Sequence, residues 1–109
     1  MSIEQAPERL YKIVSEENWK ASEGHDELVL SEMDREFIHL AKDEEQVKKV
    51  AGKFWKDMSY WLLTVDPSKF QEGRLVFEAN HQGGDKYYHL HEGSIPMSAI
   101  TESVFKPND

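Results

Sequence analysis

The chain contains no cysteine, which removes thiol nucleophiles, disulfides and cysteine-bound zinc together and suits a reducing compartment. No apolar run approaches the roughly 18 residues of a membrane-spanning helix. The stretch from Met1 to Arg9 is polar and acidic, without the apolar segment of a secretion signal, so the expected location is cytoplasmic and no membrane partner is expected. Positive charge is in short supply. Thirteen Lys and Arg are scattered among 21 Asp and Glu, giving a formal charge of -8. That balance repels polyphosphate and shows no basic patch, so nucleic acid as a bulk polyanion is not an expected partner. G-x-G-x-x-G, the P-loop, G-x-S-x-G and H-E-x-x-H are all missing, which takes support from Rossmann-type folds, NTPases, common hydrolases and zincins. There is no internal repeat, heptad run or low-complexity segment, and the oligomeric state is left open.

What is present is globular material. Three Trp, four Tyr and five Phe among 109 residues, 39% of them hydrophobic, supply one core. A single domain over residues 1–109 is expected, with 1–9 and 106–109 as loose tails. Leu10 to Val14 alternates around Lys12 and reads as a strand; Ser15 then caps a short helix that carries Trp19 and stops at Gly24. Asp26 to Glu36 has no clean period and reads as a loop with at most one extended or helical turn. Phe37 to Ala41 is a second strand. Asp43 and Gln46 form a capping-box pattern, and Val47, Val50, Ala51, Phe54, Trp55 and Met58 make one helical apolar stripe. These aromatics, with Tyr60 and Trp61, read as core rather than as a stacking platform.

Tyr60 to Val65 suits a central strand covered on both faces, and Asp66-Pro67 a capped helical turn. Arg74 to Ala79 and Tyr87 to His91 read as neighbouring strands joined by a hairpin-type connection over 80–86 that holds Gly83-Gly84. Met97 to Ile100 forms a helical turn, and Ser103 to Phe105 closes the sheet. The order β-α-β-α-β, then mainly β, predicts an α+β domain with a mostly antiparallel sheet and two main helices.

Two histidines stand inside strands, His39 in Phe37-Ile38-His39-Leu40 and His89 in Tyr87-Tyr88-His89-Leu90. Alternation turns each ring away from its aliphatic neighbours, so the two can meet on one face. Histidine changes charge near neutral pH and serves as acid, base or ligand. Glu78, an acid in an otherwise apolar strand, joins them as a candidate general base or ribose-binding group. Lys12 and Arg74 are candidate partners for an anionic group. His89 and His91 share a strand face at a spacing that can chelate zinc or copper, but a third ligand has to come from His39 or Glu78, and no metal is assigned. His25 and His81 lie in loops and carry no role.

A series of landmarks resembles the DUF952 family, small bacterial domains of unassigned function. They are Leu10-Tyr11-Lys12-Ile13, Trp19, Phe37-Ile38-His39-Leu40, Gln46 and Phe54, Leu62 to Asp66, Glu78, Tyr88-His89-Leu90, Gly93, Ile95-Pro96 and Ala99-Ile100. The resemblance spans about Leu10 to Val104. Arg35-Glu36 stand where the family commonly has Asp-Gly, Ala41 where it has Ser, and His91-Glu92 precede Gly93 where it usually has Tyr-Gly. The resemblance implies an ADP-ribosyltransferase-like fold, a bent and split sheet whose cleft binds NAD in the wider superfamily. By position it makes His39, Glu78 and His89 the catalytic candidates; Lys12, Arg74, His91 and Tyr88 are the candidates, from the chain's own residues, for binding a small-molecule ligand. The expected function is binding or acting on NAD, ADP-ribose or a related nucleotide-phosphate, with NAD as substrate rather than resident cofactor. The alternative is a non-catalytic small-ligand or protein-interaction module with structural histidines.

Overall fold

A computed structural model describes residues 7–79 and 82–107, and its elements follow the apolar patterning of the chain closely. Strand β1 (Leu10–Val14) leads into helix α1 (Glu16–Ser22), then β2 (Phe37–Leu40), helix α2 (Glu44–Phe54), β3 (Tyr60–Val65), β4 (Arg74–Ala79), β5 (Lys86–His91) and β6 (Ile100–Lys106). Single 3-10 turns lie at Glu32–Asp34, Pro67–Lys69 and Met97–Ala99. Both helices start as their caps dictate: Ser15 Oγ accepts from the Asn18 amide and Asp43 Oδ1 from the Gln46 amide, each filling an otherwise unpaired first-turn donor.

The strands form two antiparallel three-stranded sheets, ordered β1-β3-β6 and β2-β5-β4, and the fold is α+β. Among the described residues a single residue pair joins them, Tyr11 with Ala41, through two backbone hydrogen bonds of 2.8 and 2.9 Å. Leu10, Val14, Ile38, Leu40, Leu63, Val65, Leu90 and Ile95 form the shared core. The segment before β2 is tied down at its start: Leu28 donates to the Ile95 carbonyl, and the buried Ser22 hydroxyl accepts from the Val29 amide. Among the described residues no helix is long and apolar enough to cross a membrane.

Three expectations need correction. Helix α2 ends at Phe54, because Trp55 is already its C-cap and Asp57 takes a left-handed φ of 62°. Phe54 and Met58 are therefore about half exposed, and the end of the predicted stripe does not reach the core. β3 is central in its sheet, but only Leu63 and Val65 along it are buried, so it is not covered on both faces. β6 extends three residues earlier and one later than its apolar centre, since backbone pairing from Tyr60–Lys106 to Val65–Ile100 needs no apolar side chains on an exposed edge strand. Of the expected connection over 80–86, residues 80 and 81 lie outside the described residues, and so does His81.

Where β4 and β5 leave their sheet, Gly73 (φ 100°) and Gly93 come into backbone contact. A Cβ on Gly93 would sit 2.4 Å from the Glu72 carbonyl oxygen, and one on Gly73 would sit 2.7 Å from that of His91. Gly52 in α2 faces open space. Gly93→Ala is therefore expected to cost about 2–4 kcal/mol, whereas Gly52→Ala is expected to stabilise by about 0.5–1 kcal/mol. Urea unfolding of the two variants measures both signs, and equal effects would contradict the packing described.

Candidate functional site

Lys12 is the unexpected residue of β1. It lies on the buried side with Leu10 and Val14, and its ammonium reaches Asp34 Oδ1 at 2.8 Å with both side chains under a tenth exposed. Asp34 comes from the 3-10 turn just before β2. The same Oδ1 accepts from the His39 backbone amide at 3.0 Å and from His39 Nδ1 at 3.0 Å. Burial by itself would raise the Asp34 carboxyl; the His39 ring and the Lys12 ammonium outweigh it and hold the group at about 2. Burial pushes Lys12 down, against the pull of Asp34. An ionised carboxylate only accepts, so His39 carries its proton on Nδ1 and leaves Nε2 as the free nitrogen.

The separation of β1 from β2 beyond the Tyr11–Ala41 bridge opens a cavity of about 950 Å³. Its walls are β1, the turn holding Met33 and Asp34, the end of β2 with His39, the last turns of α2 from Lys49 to Trp55, and the Gly83-Gly84-Asp85 segment. The size is near the upper end for ordinary ligand sites. His39 is 37% exposed on this wall, and Lys49 and Lys53 stand at its α2 side. Val50, Phe54 and Trp55, half of the stripe expected in the core, line the cavity instead.

The second sheet gathers a different group. Registers pair His39 with His89, Phe37 with His91, and Arg74 with His91, so these residues share one face with Glu78. The His39 and His89 rings meet edge to face with centroids 5.2 Å apart. Glu78 Oε1 accepts from His89 Nδ1 at 3.0 Å and makes a very short contact with His91 Nε2. The bonds from His91 first, then His89, draw the Glu78 carboxyl below its ordinary range. Burial lowers the His89 ring, against the bond from Glu78. His89 is 1% exposed and its Nε2 has no hydrogen-bond partner among the described residues.

Of the residues singled out in the sequence, Lys12 and His39 reach the cavity wall; Lys12 is spent there on Asp34. His89 is sealed, so the two-histidine cleft has one histidine in it. Glu78, His89 and His91 form a separate cluster outside the cavity lining. Arg74 is exposed at the start of β4. Tyr88 faces the other way, against Phe77 and the core, because alternation sets it opposite His89. Asp34 was missed: it is one of five acids in residues 26–36, and nothing local marks it as the one that reaches Lys12 and His39.

The model of a family described as protein of unknown function, DUF952, matches residues 13–103. The crystal structure of protein CC0527 from Caulobacter crescentus is similar with a TM-score of 0.74 and 29% identity, over 89% of this chain and 84% of that one. A double mutant of that protein gives 0.74 and 30% over the same shares, and its solution NMR structure gives 0.71 and 29% over 88% and 82%. No curated protein matches the chain.

Asp34→Asn leaves the buried Lys12 ammonium without a counter-charge and is expected to cost about 2–4 kcal/mol at pH 6. A carboxyl held at about 2 stabilises the fold above the ordinary value of 3.8, and that contribution fades as pH falls from about 4 to about 2. The gap between wild type and variant should therefore narrow by about 1 kcal/mol from pH 6 to pH 3. Unfolding curves at the two pH values check this; a pH-independent gap would count against the ionised pair.

Proposed function

The chain belongs to the DUF952 family, and we propose that this member binds a small anionic molecule with a flat apolar portion in the cavity between its two sheets. The observation that carries the reading is His39, a ring oriented by a buried carboxylate and exposed on the wall of a ligand-sized cavity. Fixing Nδ1–H on Asp34 leaves Nε2 to accept from a ligand hydroxyl or amide, or to exchange a proton with it. Phe54 and Trp55 offer surface on which a planar group can stack. Lys53, whose ammonium lies 5.3 Å from the Phe54 ring centroid, supplies positive charge for a phosphate or carboxylate, while Lys49 on the same wall is paired with Asp85 at 3.6 Å.

NAD and ADP-ribose have this chemistry, and the family resemblance makes them the first compounds to test. Binding without bond cleavage is the form favoured here. A glycosyl-transfer reading needs Glu78 beside the ligand, and Glu78 is engaged by His89 and His91 outside the cavity lining. Ala41, which lines the cavity, brings no hydroxyl where the family pattern has serine.

Titration of the protein with NAD, ADP-ribose and a nucleoside 2'-phosphate, followed by the His39 ring signals in NMR, tests the proposal. At least one of the three is expected to shift them at millimolar concentration or below. His39→Gln is expected to weaken that binding about tenfold, the loss of one well-placed polar contact, and Lys53→Glu to weaken it through charge. Unmoved His39 signals with all three compounds would overturn it.

A further inference from the structure

We infer that Glu78, His89 and His91 form a binding site for one divalent late transition-metal ion, zinc being the fitting choice. The three donors come from rigid backbone. His89 and His91 are two apart on β5 and so project to one side; Glu78 lies on β4, opposite Tyr87, and reaches across to both. One oxygen and two ring nitrogens converge, with all three ligand atoms within 4.8 Å of one another. Ligand atoms around a tetrahedral zinc, at about 2.0–2.1 Å from the ion, lie about 3.3 Å apart. The present spacing brackets that value. Accommodating an ion takes a small outward shift of a carboxylate whose side chain is 36% exposed.

The donor set suits the ion. Two imidazoles and a carboxylate are borderline ligands that select zinc and its neighbours over magnesium or calcium, and three protein ligands leave a position open to water. His91 and Glu78 are partly exposed, so ion and water can enter, while His89 anchors the site from within. The Phe37 ring packs against both imidazoles, with centroids 4.2 Å from His89 and 5.0 Å from His91, and limits their rotation.

The protons balance. Each ring, in its neutral form, now gives an N–H to Glu78. On metal binding, His89 hands Nδ1 to the ion and moves its proton to Nε2, and His91 hands over Nε2 and moves its proton to Nδ1. For His89 this exchanges a buried lone pair without a partner among the described residues for a buried N–H beside the Phe37 ring. The sequence pairs His89 with His91 but offers two choices of third ligand. The fold selects Glu78 and commits His39 to Asp34.

Calorimetric titration of the full chain with zinc chloride tests the site. One ion per chain with micromolar or tighter affinity is expected. Glu78→Gln and His91→Gln are each expected to weaken it at least tenfold, whereas His25→Gln, on an exposed residue that is not part of the cluster, is expected to leave it unchanged. In the wild type, zinc should move the ring signals of His89 and His91 in NMR, and bound cobalt should show the strong visible absorption of a low-coordinate ion. These two readouts need no variant to fold. Absence of binding at millimolar zinc, unmoved His89 and His91 signals, or affinity that survives both cluster substitutions would overturn the assignment.

Discussion

Lys12 sets the constraint on which the arrangement turns. A lysine on the inner face of β1, between Leu10 and Val14, is costly to bury without a counter-charge. The chain meets that need by bringing Asp34 to it from the turn ahead of β2. The same carboxylate oxygen then takes the amide and the ring of His39. One buried oxygen therefore holds β1 and β2 in relation beside the Tyr11–Ala41 backbone bridge that joins the sheets. The gap can stay open because a charge-assisted contact, rather than a row of packed side chains, spans it.

From that oxygen a line of polar groups runs across the face of the second sheet opposite its core side. Asp34 orients His39, His39 stands against His89, and His89 shares Glu78 with His91. The opposite face of the same strands is Ile38, Leu40, Leu75, Tyr88 and Leu90, packed into the core. Strand alternation makes one sheet both scaffold and site. The line has two accessible ends and a sealed middle, since His39 reaches the cavity, His91 and Glu78 reach solvent, and His89 reaches neither. This separation is why one histidine-rich face divides into a cavity wall and a metal-type cluster.

Much of the framework was legible because it rests on local rules. The caps at Ser15, Asp43 and Asp66, the strand at Phe37, and the pairing of β4 with β5 follow from alternation and turn chemistry over a few residues. The errors arose where a local pattern outlasts its element. The α2 periodicity continues through Trp55 and Met58 after the chain has left the helix, so residues expected in the core stand at the cavity. Tyr88, a ligand-binding candidate from the sequence, does not join the site, because a strand neighbour of His89 faces the other way.

The sequence by itself determined the α+β class, most element positions, and that each of β2 and β5 turns its histidine away from its aliphatic neighbours, because these depend on periods of 2 and 3.6 residues and on caps; that His39 and His89 meet was decided by the register of β2 on β5. Only the tertiary structure decided which acid serves which base. Asp34 is 22 residues from Lys12, and Glu78 is 11 and 13 from the histidines it joins. Across such separations no periodicity operates, and the choice falls to strand register and to the need of each buried charge for a partner.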